Sequence, residues 1–308
     1  MNILVTLNQG YLSPLKVMLY SLIREHQQTQ LDVYLAHSSL TSEQVEQIKK
    51  IFCKPYHRLH NISIDDNFFQ GMPVTSRYPT EMYYRIFAAQ YLPEELDRIL
   101  YLDPDIVVIR PLDDLYQISF GDHLFAAASH AGNVLRQMNE IRLGTVVSPK
   151  RVKQLASGHK KGTQRIRKRL WHRHMNRQRM VYINSGVMML NLSGLRQEQN
   201  LNKIMDYLKH HESVLWYPDQ DLISAVYQGK ILELDTLKYN LNERTFRFFQ
   251  ARPKLFPLKL DFHWVQENSC IIHYCGRNKP WKPDYFGEFG VFYQEAQEQL
   301  KQEFPEIV

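Results

Sequence analysis

Asp103 and Asp105 stand two residues apart in the stretch Arg98-Ile99-Leu100-Tyr101-Leu102-Asp103-Pro104-Asp105-Ile106-Val107-Val108. The apolar run before them reads as a buried strand. In an extended chain residues i and i+2 point to one side, so both carboxylates project together beyond the strand's carboxyl end. Pro104 has no N–H for a sheet ladder and suits the place where pairing stops. Two acids on one side repel unless a cation neutralises them. Hard Mg²⁺ or Mn²⁺, shared with diphosphate oxygens, is the arrangement this predicts. A solvated acidic turn after a strand is the competing reading of the pair taken alone.

Strands and helices alternate on the way to this pair. Asn2–Leu7, Leu31–Ala36 and Leu59–Ile64 read as strands. Ser13, followed by Pro14, opens a helix with Leu15, Met18, Leu19, Leu22 and Ile23 on one face. Thr41 or Ser42 caps a second helix carrying Val45, Ile48 and Ile51. Residues 79–91 are predicted as one helix ahead of the strand Arg98–Leu102. Such alternation predicts an α/β fold, a mixed but mostly parallel open sheet with helices on both faces. Ligands of such sheets bind beyond the carboxyl ends of the strands. Further strands are predicted at 125–129, 181–192, 231–234 and 270–274, and helices at 200–210, 219–227 and 293–303.

With 308 residues, 44% hydrophobic and 23% charged, the chain has the composition of a globular protein with a substantial core. No run of eighteen apolar residues exists, which excludes a helical membrane span. Cys53, Cys270 and Cys275 are odd in number and scattered, so they form neither a disulfide framework nor a zinc spacing. The opening Met1-Asn2-Ile3-Leu4-Val5-Thr6-Leu7 is too short for a signal peptide and lacks a basic leader. A cytoplasmic setting is the resulting expectation. The net charge of +6 is uneven: residues 141–180 hold 13 Lys or Arg and no Asp or Glu, leaving 25 basic against 32 acidic residues elsewhere. The stretch 150–179 reads as a solvated loop, as a contact with an anionic membrane surface, or as a site for a phosphorylated or acidic glycan. Trp171 is its one aromatic residue, so nucleic acid is not an expected partner.

Four more segments accompany the acid pair. They are Tyr83-Tyr84-Arg85, the run Tyr182-Ile183-Asn184-Ser185-Gly186 that leads into Val187–Leu192, Tyr217-Pro218-Asp219-Gln220-Asp221, and His273-Tyr274-Cys275-Gly276-Arg277-Asn278-Lys279-Pro280-Trp281. In this order and spacing the chain resembles the family 8 glycosyltransferases, retaining, metal-dependent enzymes of the GT-A fold. That family includes lipooligosaccharide galactosyltransferases, general-stress-protein-A-like proteins and glycogenin. The resemblance spans residue 1 to about 285, apart from the basic stretch. It implies a GT-A domain over 1–285 with a basic insertion at about 141–180, and a C-terminal helix within 286–308 packed on or extending it.

The resemblance implies that Asp103, Asp105 and His273 bind Mn²⁺, with Mg²⁺ the second choice; an imidazole beside two carboxylates favours the softer ion. It implies a UDP-sugar donor, UDP-glucose or UDP-galactose. Gly276 then lets backbone approach the diphosphate and Lys279 balances its charge. Arg85 reaches the sugar nucleotide with its fork of donors, Asn184 and Asp219 meet sugar hydroxyls, and Gln220 lies near the anomeric carbon. Each has a plainer reading: a structural His, a surface Lys, an Arg85–Glu81 ion pair, a strand-end Asn, or an acidic helix start. Asn8 stands where the family often has an acid, and its amide suits a uracil edge. Ser224 stands where the family commonly has Asn, which bears on acceptor or sugar choice. The expected acceptor is a bacterial surface glycan or lipid-linked glycan, reached by a cytoplasmic enzyme with peripheral membrane contact through residues 150–179. The rival of a different class is a non-catalytic module that keeps the fold and binds sugar or anionic lipid.

Overall fold

The computed structural model describes residues 1–7, 9–65, 69, 80–129, 181–211, 217–251 and 258–307. Asn8 and the basic stretch at 141–180 lie outside the described residues. The strands are β1 (Asn2–Thr6), β2 (Asp32–His37), β3 (Arg58–Ser63), β4 (Arg98–Leu102), β5 (Ile106–Val108), β6 (Phe125–Ser129), β7 (Ile183–Asn191), β8 (Ile231–Leu234) and β9 (Ile271–His273). The helices are α1 (Leu12–Glu25), α2 (Ser42–Lys49), α3 (Glu81–Tyr84), α4 (Ala88–Tyr91), α5 (Asp113–Tyr116), α6 (Leu192–Glu198), α7 (Leu201–His211), α8 (Pro218–Val226), α9 (Thr236–Tyr239), α10 (Glu243–Gln250), α11 (Phe262–Asn268) and α12 (Gly290–Glu303).

Among the described residues one sheet runs in the order β3-β2-β1-β4-β7-β6-β8, and β5 with β9 forms a second, two-stranded sheet. The first four strands are parallel, and β8 is parallel to β6. β7 runs against both of its neighbours. The fold is thus α/β with a mixed, mostly parallel sheet. The chain winds outward from β1 through β2 to β3, then restarts on the other side at β4. The carboxyl ends of β1 and β4 therefore flank the switch point where open sheets bind ligands.

Strand alternation sorts the core onto two faces. Ile3, Val5, Leu100, Leu102, Val187 and Met189 pack with Leu15, Met18 and Leu22 of α1 and Tyr293, Ala296 and Leu300 of α12. Leu4, Ile99, Tyr101, Met188 and Leu190 pack on the other face with Tyr83, Tyr84, Phe87, Leu195, Leu222 and Ile223. Each such large apolar side chain gains roughly 1.5–3 kcal/mol from burial.

Two local expectations differ from the structure. A short 3₁₀ turn at Gln9–Tyr11 precedes α1, so Pro14 is the third helical residue and not the first. The first four helical N–H groups have no intrahelical acceptor, so Pro14 removes no bond there. The helix expected over 79–91 is two separate turns, α3 and α4, because Phe87 leaves helical geometry at φ −100° and ψ 15°. Residues Met82 to Ala89 are all buried, and a straight helix presents only one face to one core. The break lets every one of them find cover, and it leaves Arg85 at the end of α3.

Candidate active site

Register brings the distant segments together. Because β7 is antiparallel to β4, pairing Leu102 with Val187, its amino end meets the carboxyl end of β4. The Asp103 N–H donates to the Gly186 carbonyl at 2.8 Å, so Asn184-Ser185-Gly186 lies beside the acids. After Pro104 the chain enters β5, whose Ile106 pairs with His273 of β9, and the Tyr274 N–H donates to the Asp105 carbonyl at 3.0 Å. β9 in turn lies beside Leu241, whose carbonyl accepts from the His273 N–H at 2.8 Å. Two local pairings thus join residues 170 positions apart.

Asp103, Asp105 and His273 each offer a ligand atom, all within 4.8 Å of one another. The two oxygens of Asp103 have different tasks. Oδ1 accepts from the Tyr101 hydroxyl at 2.5 Å and pairs with Arg85 Nη1 at 3.0 Å. Oδ2 faces His273 Nε2 at 3.9 Å. Asp105 divides likewise: Oδ2 receives the Lys279 ammonium, and Oδ1 lies 3.2 Å from His273 Nε2. One oxygen of each acid is held by the protein and the other points to the shared space. That donor set, two carboxylate oxygens and one imidazole nitrogen, fits a divalent cation.

Charge is balanced tightly here. Burial pushes the Asp105 carboxyl upward, but the Lys279 ammonium and the His273 ring outweigh it and hold the group well below the usual carboxylate range. Burial favours a neutral His273, yet Cys275 and Asp105 outweigh that and raise the ring well above its ordinary value. Asp103, Asp105 and His273 would hold a divalent cation only with that proton gone from the ring. Lys279 also donates to the Tyr274 carbonyl at 2.9 Å and sits over Tyr11 and Trp281. Burial opposes its charge, and Asp105 restores it, leaving the group raised.

Arg85 joins the acid pair to α8. Its Nη1 lies 3.3 Å from Asp219 Oδ2 and donates to the Ser185 carbonyl at 3.3 Å and hydroxyl at 3.2 Å. Its guanidinium carbon stands 4.4 Å above the Tyr101 ring, and its Nε is buried without a hydrogen-bond partner. The Ser185 hydroxyl donates to Asp219 Oδ2 at 2.5 Å. Arg85 thus pairs with Asp103 and Asp219 together. Pro218 opens α8 and places Asp219 and half-buried Gln220 in its first turn. Gly276 takes a left-handed φ of 86°, open to residues without a Cβ, in the exposed turn before Lys279. Asn184 accepts at Oδ1 from the Gly186 N–H and from Asn240 Nδ2, each at 3.0 Å.

Four participants escape the sequence reading. Tyr101 alternates onto the opposite side of β4 from Leu100 and Leu102, and its ring supports both Arg85 and Asp103. Ser185 bridges Arg85 and Asp219. Gly186 lies so close to the triad that a Cβ would come within 2.3 Å of His273 Cε1 and 2.7 Å of Asp103 Oδ2. Asn240 holds His273 Nδ1 at 2.7 Å. The Ser185-Gly186 pair breaking an apolar strand is the one signal that points to any of them.

The fold is that of a GT-A glycosyltransferase. The model of the glycosyl transferase family 8 matches residues 2–284, and the chain belongs to that family. It is similar to lipopolysaccharide 1,2-glucosyltransferase of Escherichia coli K12, 24% identical over 91% of this chain and 72% of the relative. General stress protein A of Bacillus subtilis is 21% identical over 91% of this chain and 87% of its own length. The crystal structure of galactosyltransferase LgtC with donor and acceptor sugar analogs superimposes over the whole of both chains, with a TM-score of 0.70 at 18% identity. Enzymes of this fold take a nucleotide-sugar donor and a glycan acceptor, and usually a divalent metal. Among the described residues no helix is long and apolar enough to cross a membrane.

Proposed function

We propose that the chain is a retaining hexosyltransferase that moves glucose or galactose from UDP to a hydroxyl of a lipopolysaccharide-type glycan, with Mn²⁺ as its cation. The convergence of Asp103, Asp105 and His273 with Lys279 and Arg85 at the switch point carries this reading. The acceptor class rests on the relatives named for lipopolysaccharide transfer. When bound, Mn²⁺ supplies Lewis acidity to the departing UDP. With a neutral His273, three carboxylates (Asp103, Asp105, Asp219) face two cations (Arg85, Lys279), a sum of −1. A divalent cation reverses that sign and suits a diphosphate. Lys279, already desolvated, adds a point charge beside Gly276.

Transfer then depends on groups of this chain. Arg85 reaches the sugar nucleotide, and Asn184 and Asp219 fix the sugar's hydroxyls. The Gln220 carbonyl oxygen steadies positive charge developing at the anomeric carbon. Asp219 Oδ2 is engaged by Arg85 and Ser185, and Gln220 is an amide, so neither is a ready nucleophile. A front-face displacement with retention follows, without the flanking carboxylate that a double displacement needs. Asn8 meets the uracil edge.

The described chain stops at Ser129 and resumes at Val181, and Ser129 pairs with Ile183 on the same sheet edge as Asp103. The test is UDP release from UDP-glucose and UDP-galactose with and without Mn²⁺, with NMR assignment of the product anomer. Mn²⁺-dependent release and a retained anomer are expected, and Asp103→Asn removes both. Donor binding by Asp103→Asn equal to wild type in Mn²⁺ rejects the metal assignment.

A further inference from the structure

We infer that Asn240 is a positioning residue that sets His273 for the cation and Asn184 for the donor sugar at once, so that the two subsites are coupled. The inference rests on the proposed function in its assignment of Asn184 to the sugar.

Asn240 is 1% exposed and stands between the two groups. Its Oδ1 lies 2.7 Å from His273 Nδ1, and its Nδ2 donates to Asn184 Oδ1 at 3.0 Å. The polarity of this chain is fixed from one end. The Gly186 N–H is a backbone donor and cannot turn over, and it donates to Asn184 Oδ1 at 3.0 Å. Asn184 therefore presents an acceptor toward Asn240, so Asn240 must answer with its NH₂ group. Its carbonyl oxygen then faces His273, and His273 must carry hydrogen on Nδ1. Nε2 is left to face Asp105 Oδ1 and Asp103 Oδ2. These groups have one consistent arrangement, and once the Nε2 proton is displaced its outcome is an imidazole lone pair aimed at the cation site. Such outer partners of a metal-binding His orient the ring and raise its basicity.

The other end of the chain aims the sugar contact. With Oδ1 occupied twice, Asn184 is left with Nδ2, which lies 3.7 Å from Cys275 Sγ beside the Gly276 turn. A donor hydroxyl therefore meets an N–H of Asn184 and not its oxygen. Any tilt of His273 on binding the cation passes through Asn240 to Asn184. The coupling is reciprocal: a sugar held by Asn184 tightens the cation, and the cation tightens the sugar.

Three substitutions separate the two tasks. Asn240→Asp keeps an acceptor for His273 Nδ1–H and loses the donor to Asn184 Oδ1, which the Gly186 N–H still pins and which then faces a carboxylate. It should bind Mn²⁺ at least as tightly as wild type, read by electron paramagnetic resonance. Its affinity for UDP-sugar relative to UDP should fall at least about 5-fold, as a loss within the usual range of coupling energies. Asn240→Leu loses both bonds and should weaken Mn²⁺ about 10–100-fold. Asn240→Ser, smaller and polar, replaces it if the Leu variant does not fold. Proton NMR of the metal-free protein should show a His273 Nδ1–H held in a hydrogen bond and slow to exchange in wild type, and its loss in Asn240→Leu. Loss of Mn²⁺ affinity by Asn240→Asp equal to that of Asn240→Leu, or wild-type Mn²⁺ affinity in Asn240→Leu or Asn240→Ser, overturns the inference. If wild type itself binds no Mn²⁺, the proposed function fails, while the exchange of the His273 Nδ1–H still decides the role of Asn240.

Discussion

Arg85 shows how one side chain ties two subsites. Its Nη1 reaches Asp103 and Asp219 together, and its plane rests on Tyr101. A lysine has the charge but not the fork. Arg85→Gln should lower kcat/KM at least about 100-fold, on the scale of losing one electrostatic donor. It should also lower stability by about 3–5 kcal/mol, because Asp219 is left buried without its cation. Thermal unfolding and steady-state kinetics check the two effects, and Arg85→Lys should restore stability more fully than rate. At this scale the sequence revealed the groups with unusual chemistry for their place: paired acids at a strand tip, a late His and a Lys behind Gly276. It did not reveal Asn240 or Tyr101, because a buried Asn and a strand Tyr are ordinary residue types whose task comes only from neighbours far along the chain.

The antiparallel β7 is the element that completes the site. Alternation and apolar runs made the parallel half of the sheet legible, since a strand buried on both faces shows as a continuous run. The direction of β7 is not written in its composition, and the small β5–β9 sheet is too short to show periodicity. Yet those two pairings bring Gly186 and His273 to Asp103 and Asp105. The unbroken helix expected over 79–91 failed because tertiary burial from Met82 to Ala89 overrode local propensity. Gly186 carries the element-scale prediction. A methyl there would stand 2.3 Å from the imidazole and 2.7 Å from an Asp103 oxygen. Gly186→Ala should weaken Mn²⁺ about 10-fold or more while the far-ultraviolet circular dichroism stays that of wild type. Unchanged Mn²⁺ affinity in a folded Gly186→Ala protein would show that the ring is not confined there.

The 13 basic residues of 141–180 stand in a chain of net −7 elsewhere. Replacing Arg165, Arg167, Lys168 and Arg169 with Gln should raise acceptor KM and leave donor hydrolysis unchanged. Near the opposite end of the sheet, His26 donates from Nδ1 to the Leu22 carbonyl at 2.7 Å and accepts at Nε2 from the Leu112 N–H at 2.8 Å. That pattern requires a neutral ring. His57 is buried with both ring nitrogens unpartnered. Burial lowers the pKa of both rings, so the unfolded chain takes up protons that the folded chain refuses. Their contribution is whole above the ordinary value of about 6.5 and is lost as pH falls toward the lowered folded values. These two rings pull Tm down between pH 7 and 5, against the opposite pull of the raised His273, so His57→Leu should shift the Tm change over that window upward relative to wild type.

The cation site beneath the donor is the claim on which the rest depends. Titration of the full chain with Mn²⁺ in the presence of UDP, followed by the loss of the free-ion paramagnetic signal, measures it most directly. The account predicts one tight Mn²⁺ per chain in wild type, and its loss in both Asp105→Asn and His273→Ala. A chain that binds no Mn²⁺ with UDP, or folded variants that bind it as wild type does, would contradict it.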